Sequence, residues 1–176
     1  MAHRRRLFAR LLRRGFVDSV PLVLGMYVIA VMDEGLTWSA LREATALPAV
    51  VAVACPLWAA WRTRSLVRCA RELGVEATEG LLDGTQTHTV TGIPLDRVRA
   101  RLEAARRASD LTGGNPLRFR WHPYRTRVSV QGEVAYIAVT GEAHVEVSAA
   151  GNLEHGLFRG AAFTALCAIV RAVAGR

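Results

Sequence analysis

Four arginines alternate along a predicted β-hairpin, and their pattern could recognise an anion: Arg118, Arg120, Arg125 and Arg127. Because side chains alternate between the two faces of a strand, these four are expected to share one face. A guanidinium group binds phosphate and carboxylate oxygens through a planar fork of N–H donors. The pattern therefore predicts contacts to lipid head groups or to a phosphorylated partner. The alternative is a solvated face whose arginines pair across strands with Glu142 and Glu146.

Nucleic acid is not the anion that this pattern favours. Phe119 and Trp121 are predicted to point to the opposite face of the hairpin, so no aromatic side chains interleave with the arginines to stack on bases. The net charge is +8, from 23 basic and 15 acidic residues, and every basic side chain is arginine. Arginines flank the apolar runs in the first third of the chain, so most of the excess positive charge is attributed to the orientation of a membrane anchor.

Residue types that could hold a metal or perform catalysis are few and scattered. Glu142, His144 and Glu146 share one strand face, but no second cluster with ligand spacing accompanies them, so we predict no metal site. The chain has no phosphate-binding glycine loop, no nucleophile elbow and no zinc-helix motif. We therefore assign no catalytic residue and no cofactor. The three cysteines form no Cys-x-x-Cys pair, and they are interpreted as small apolar residues in a reducing compartment: Cys55, Cys69 and Cys167.

An apolar cavity is a second possible site. A sheet packed against a C-terminal helix could enclose a small apolar ligand between the two layers. The side chains expected to line such a cavity are Leu117, Phe119, Trp121, Val145, Phe163 and Leu166.

The first third of the chain is predicted to be a membrane anchor. Residues 15–32 contain a single charge and residues 44–61 contain none. Each apolar run would extend roughly 27 Å as a helix, near the lower limit for crossing a bilayer. We therefore predict a two-helix transmembrane hairpin over 15–61. A pair of buried helices in a soluble protein, and a cleaved export signal around the arginines of the first segment, are the alternatives.

The distribution of arginine predicts the orientation of this hairpin. Six arginines lie in a basic amphipathic segment at 1–14, and Arg62, Arg64, Arg68 and Arg71 follow the second run, whereas the spacer holds only Arg42. Both termini are therefore expected in the cytoplasm of a bacterial cell, below a multi-pass cytoplasmic membrane. A juxtamembrane helix is predicted over 62–77. Arg64, Arg68 and Arg71 are expected to contact anionic head groups, the alternative being that these charges only set orientation.

Residues 78–176 are predicted to form a small cytoplasmic domain. With 51% hydrophobic residues and three cysteines, the chain is neither a disordered tail nor a disulfide-stapled miniprotein. Strand-like alternation occurs at 85–91 and in a predicted meander from 117 to 147, whereas 95–105 and 160–170 have helical patterns; Asn152 is the predicted N-cap of the last helix. The fold class is therefore predicted to be α+β, an antiparallel sheet with one or two packed helices.

These features predict a function class and no particular pathway. The chain is interpreted as a non-enzymatic, membrane-anchored accessory or scaffold protein whose cytoplasmic domain binds another protein or a second copy of itself. One alternative is a membrane-tethered sensor of a small apolar ligand. A further alternative is a membrane enzyme that acts on a lipid, which would need clustered polar residues at the bilayer edge.

Overall fold

The protein is described by a computed structural model that covers residues 2–35, 37–123, 129–149 and 158–175, with some side chains of the first two helices outside the description. The chain divides into two compact units, Met1–Ser65 and Leu66–Arg176. Arg125 and Arg127 of the predicted arginine hairpin lie outside the described residues, as does Asn152.

The first unit consists of two long helices. Helix α1 runs from Ala2 to Glu34, and helix α2 begins at Trp38 and continues into the second unit, ending at Leu73. An added Cβ on Gly15 would lie 3.6 Å from Cys55 Sγ, and the N-terminal turns of α1 share a groove with residues 60–64. Since residues further along α1 contact earlier residues of α2, the two helices are antiparallel. The predicted segments 1–14 and 62–77 are not separate helices; each belongs to a longer continuous helix up to Leu73.

Helix α1 contains a candidate membrane span. Its stretch His3–Asp33 is long and apolar enough to cross a membrane by length and composition, and none of its most apolar window is buried. Within the searched, described part of the chain this helix alone meets the criterion, so one candidate span is supported. The second predicted span, 44–61, lies inside α2, where residues 44 and 47 have no described side chains.

The second unit is built on a five-stranded antiparallel sheet. Its strands are β1 (Thr85–Thr91), β2 (Ala108–Thr112), β3 (Leu117–Trp121), β4 (Val130–Ile137) and β5 (Glu142–Ser148). Their order in the sheet is β1-β5-β4-β3-β2. The last four strands form a meander, and β1 joins it beside β5. Helix α3 (Leu95–Ala104) connects the two edge strands, β1 and β2.

The core lies between this sheet and helix α4 (Ala161–Ala174). Helix α4 contacts β1, β4, β5 and α3, so both helices cover the same face of the sheet. Alternation explains the burial: Leu117, Phe119 and Trp121 are buried while the arginines between them are exposed. Nine of the fourteen residues in α4 are buried, because the helix packs against both the sheet and the end of α2. The α+β class with an antiparallel sheet is thus confirmed.

Strand β2 ends at Thr112, and the chain then leads through Asn115 to β3. The amide side chain of Asn115 continues the neighbouring ladder: its Nδ2 donates to the Tyr136 carbonyl at 2.7 Å, and the Tyr136 N–H donates to its Oδ1 at 2.8 Å. At the other end, strand β4 stops at Ile137, and the chain turns through Gly141 at positive φ before β5 begins.

Candidate functional site

The sheet face opposite α4, here called the outer face, is open and polar. On the four strands β1, β5, β4 and β3, it presents these side chains: Thr85, Thr87, Thr89, Thr91, Glu142, His144, Glu146, Ser148, Gln131, Glu133, Ala135, Ile137, Arg118 and Arg120. The residues between them on β3, β4 and β5 are mostly buried in the core. This side of the sheet is therefore available for recognition rather than packing.

Arg118 and Arg120, two of the four arginines predicted to bind an anion, lie on the outer face and are both paired with carboxylates. Arg118 Nε donates to Glu133 Oε2 at 2.9 Å, and Arg120 Nε lies 3.6 Å from Asp110 Oδ2. Their partners are not Glu142 and Glu146, because β4 separates β3 from β5 in the sheet. These exposed ion pairs reduce the positive charge available to an external anion.

A shallow groove of about 650 Å³ crosses the outer face between β2 and β5. Two positive and three negative side chains line it together with uncharged polar groups: Arg118, Arg120, Asp110, Glu133, Glu146, Thr112, Gln131 and Ser148. Glu133 and Glu146 stand directly opposite each other on β4 and β5. Like charges at that register repel. The groove is therefore a surface of mixed charge.

Beside this groove, β1 and β5 are joined by polar side chains. Thr89 Oγ1 and His144 Nδ1 lie within hydrogen-bond distance at 2.9 Å, and His144 Nε2 lies 3.8 Å from Glu142 Oε2. Thr87 stands opposite Glu146. No group of three or more metal-ligand side chains occurs in the searched, described part of the chain.

The two edges of the sheet differ in how they are protected. Strand β2 is five residues long, its register shifts between Ser109 and Thr112, and Asp110 has a φ of 56°. A bulge of this kind twists an edge and interrupts its hydrogen-bonding pattern. Strand β1 is a regular seven-residue strand without charge or proline, and among the described strands it pairs with β5 alone. No described strand covers its other edge, where strand addition is possible.

The hydrogen bonds at the two ends of β1 show which backbone groups point outward. Ala149 N–H donates to Gly84 O at 2.7 Å, and Gly92 N–H donates to Gly141 O at 3.2 Å. Even-numbered residues thus direct their N–H and C=O groups to β5, since these groups alternate along an antiparallel strand. The odd-numbered residues, which are the threonines of β1, direct theirs away from the sheet.

His88 lies at the centre of β1, on the face covered by α4. Its side chain is half-buried, and burial lowers its pKa below the usual value of an exposed histidine. The neutral imidazole is therefore favoured at pH 7. No net charge is then present on β1 from its first residue to its last.

The six residues predicted to line an apolar cavity are all buried on the core side of the sheet, between 0 and 3% exposed: Leu117, Phe119, Trp121, Val145, Phe163 and Leu166. Phe119 also covers Gly132 on β4, where an added Cβ would approach the ring to 2.5 Å. Trp121 Nε1 is buried and has no hydrogen-bond partner in the described structure.

The three arginines predicted to contact lipid head groups, Arg64, Arg68 and Arg71, are exposed along α2. Arg64 lines a groove with residues of α1, whereas Arg68 contributes to lowering the pKa of Glu72 in the second unit. The main cause of that lowered pKa is the hydrogen bond from Arg171, which joins the end of α2 to α4.

Two of the three cysteines meet in the second unit, and the spacing of the sequence gave no sign of this. The Cys69 and Cys167 thiols hydrogen-bond each other, and Cys167 Sγ also donates to Glu72 Oε2 at 3.5 Å. The contact with Cys69, followed by burial, raises the pKa of Cys167. The Cys167 thiol is therefore protonated and weakly nucleophilic at pH 7.

Comparisons of the chain with family models, with curated proteins and with solved structures found no match.

Proposed function

We propose that the protein is a membrane-anchored, non-enzymatic scaffold whose second unit self-associates through the open edge of β1. Residues 15–32 and 44–61 span the bacterial cytoplasmic membrane, and both termini lie in the cytoplasm. The observation that carries the association is the uncharged edge of β1, whose four threonines direct unpaired backbone groups outward. An exposed edge of this length is a template for pairing with another strand.

The anchor is supported by the apolar side chains that both helices leave exposed. In α1 and α2 these include Val17, Val20, Leu22, Leu24, Met26, Val28, Ile29, Met32, Val50, Val53, Leu57 and Trp61. Soluble monomers rarely expose a continuous apolar surface of this extent, whereas a lipid environment solvates it. The antiparallel pairing also brings the basic end of α1 beside the basic end of α2, consistent with both ends on one side of a membrane.

A second copy of this chain is the partner that β1 fits best. Threonine occupies every second position from 85 to 91, so the strand has the same pattern when read in either direction. With His88 opposite His88 of the second copy, each outward-facing threonine meets another: Thr85 meets Thr91 and Thr87 meets Thr89. Threonine pairs across antiparallel strands are favourable, and no like charges oppose one another while His88 is neutral.

Anchoring strengthens this association. Two copies held in the same membrane move in two dimensions with their second units at similar depth, which raises their effective concentration. A modest edge-to-edge contact can therefore form a dimer without a large apolar interface.

Self-association through β1 is tested by placing a charge on the edge of this strand. In Thr87→Lys, the new ammonium groups of two copies are brought together near the dimer axis, while Glu146 opposite Thr87 in the same chain offsets the charge within the monomer. Like charges at about 7 Å in an intermediate dielectric cost roughly 1 kcal/mol, so we expect the dimer to weaken about fivefold. The matched control is Gln131→Lys, which adds the same charge to an exposed position of central strand β4.

Sedimentation of the full-length protein in neutral detergent measures the dimer. A wild-type dimer, weakened by Thr87→Lys and unaffected by Gln131→Lys, supports the proposal. A monomeric wild type, or equal weakening by both variants, contradicts it.

Disulfide trapping tests the register. A mixture of Thr87→Cys and Thr89→Cys proteins should cross-link more than either variant alone, because these positions are opposite each other in the proposed pair. The wild-type chain, with its own three cysteines, gives the background. Equal cross-linking of the mixture and of each single variant contradicts the register, and co-purification of a different protein on β1 in place of a second copy contradicts self-association.

A further inference from the structure

A groove in the first unit combines three positive charges with a buried, unpartnered hydroxyl group. It has a volume of about 380 Å³ and lies between the first turns of α1 and the part of α2 around residue 62. Its lining residues are Arg4, Arg5, Phe8, Ala60, Thr63 and Arg64.

The charges in this groove are all of one sign. No carboxylate lines it, and among the described residues none forms an ion pair with Arg4, Arg5 or Arg64. Guanidinium groups held together in this way repel one another, and an anion between them removes the repulsion. Their planar forks of donors match the oxygens of a phosphate group. The groove is therefore electrostatically complementary to an anion, unlike the outer face of the sheet.

Thr63 adds a separate observation. Its side chain lines the groove, the residue is only 3% exposed, and its Oγ1 has no hydrogen-bond partner in the described structure. A buried hydroxyl group without a partner costs free energy, so native proteins rarely leave one unsatisfied. An oxygen of an anion in the groove would accept its hydrogen bond.

The remaining lining and the depth of the groove favour a lipid as the source of the anion. Phe8 and Ala60 give the groove an apolar part. Ala60 lies in the last turn of the predicted span 44–61. Gly15 faces Cys55 across the antiparallel pair, and Phe8 and Arg62 each lie seven residues, or about 10 Å, beyond that level, so Phe8 is level with the end of this span. The polar head-group region extends about 5–8 Å beyond the hydrocarbon core of a bilayer. The groove therefore straddles the boundary where phosphate and acyl chain meet.

We propose that this groove binds the phosphate of an anionic phospholipid, with Arg4, Arg5, Arg64 and the Thr63 hydroxyl on the phosphate oxygens. Phe8 and Ala60 contact the start of the acyl chains. The site rests on the proposed membrane anchor, since only that location brings a phospholipid to the groove. It is independent of β1 and of the proposed dimer.

Lipid binding to the full-length protein tests this site. The protein is purified in neutral detergent and titrated with phosphatidylglycerol, with cardiolipin and with phosphatidylcholine, and retained lipid is counted by native mass spectrometry. We expect both anionic lipids to bind at least tenfold more tightly than phosphatidylcholine. Equal binding of all three lipids overturns the proposal.

Variants locate the site. Arg64→Gln should weaken binding of the anionic lipids about tenfold, because it removes one charged fork. Arg13→Gln, the matched control, removes the same charge from an exposed position of α1 outside the groove and should change binding less than twofold. Thr63→Val, which is nearly isosteric and removes the unpartnered hydroxyl group, should leave the fold intact and weaken binding about threefold. Equal effects of Arg64→Gln and Arg13→Gln indicate a diffuse basic surface and overturn the site.

Two further measurements distinguish a phospholipid from free phosphate as the ligand, and the groove site from the membrane anchor. Displacement of bound lipid by millimolar inorganic phosphate shows a site for free phosphate and overturns the lipid assignment. Membrane fractionation reports on the anchor alone: a protein that stays in the membrane pellet at high salt but has no preference for anionic lipid refutes only the groove. A protein recovered in the soluble fraction refutes the anchor itself.

Discussion

Gly132 on β4 should tolerate no side chain, because the ring of Phe119 occupies the space beside it. The two residues are opposite each other on β4 and β3. A Cβ on Gly132 would lie 2.5 Å from Cζ and 2.6 Å from Cε2 of Phe119, whereas carbon atoms pack best at about 3.5–4.0 Å. In Gly132→Ala the ring must therefore move by about 1 Å.

The size of the effect follows from how little room the ring has. Phe119 is 3% exposed and lies in the core of the sheet, so its movement displaces other packed side chains. Overpacking of this kind costs about 1–3 kcal/mol. For a unit of roughly 110 residues, 1 kcal/mol corresponds to about 4 °C in melting temperature, so we expect Gly132→Ala to melt about 4–12 °C lower than the wild type.

Thermal unfolding of the full-length protein, followed by near-ultraviolet circular dichroism, measures this difference. The matched control is Gly114→Ala, because a Cβ there meets no atom within 4 Å and the backbone conformation accepts alanine. Phe119→Leu combined with Gly132→Ala should recover about 1 kcal/mol relative to the sum of the two single changes, since the smaller side chain relieves the clash. A melting temperature for Gly132→Ala equal to that of Gly114→Ala would refute the close contact between ring and glycine.

Three other changes test contacts in the second unit. Hydrogen bonding by Arg171 lowers the pKa of Glu72, so the ion pair should stabilise the fold fully above about pH 4.5 and lose its effect as the pH falls below that value. The wild type and Glu72→Gln should therefore differ in unfolding free energy by about 0.2–1 kcal/mol at neutral pH, a small value because the pair is exposed, and should not differ in acid. A difference that stays constant with pH would refute the pairing. Asn115→Ala should cost about 1–2 kcal/mol by chemical denaturation because two hydrogen bonds to the Tyr136 backbone are lost, and an unchanged midpoint would show that water replaces them fully. Cys167 should react with maleimide at pH 7 only when denaturant is added, because burial and its thiol and carboxylate contacts keep it protonated; rapid labelling of the native protein would contradict its placement.

Periodicity was sufficient to predict most of the second unit. Alternation placed β1 at 85–91 and β3 at 117–121, with the bounds that the structure has. It failed at β2, since the bulge near Asp110 and the following glycines remove the regular alternation on which the prediction depends. The long helices were likewise predicted in pieces, because a change of composition from basic to apolar gives no information about helix continuity.

The candidate sites were predicted less completely. The sequence indicated that Arg118 and Arg120 share a face, but it could not show that Glu133 and Asp110 neutralise them. Cross-strand partners depend on strand order, and the placement of β4 between β3 and β5 is a tertiary property. The groove around Thr63 was missed for the same reason, since its residues are separated by more than fifty positions in the chain.

The sequence by itself determined the composition of the two halves: an arginine-flanked apolar segment, and an alternating pattern that encodes an antiparallel sheet with helices on one face. Local spacing suffices for this because helix and strand have fixed periods. Only the tertiary structure decided which strand lies at which edge, and thereby left the uncharged β1 open and the bulged β2 at the opposite edge. It also brought Arg4, Arg5 and Arg64 together beside one buried hydroxyl group, because the antiparallel pairing of two helices sets distances that no local pattern contains.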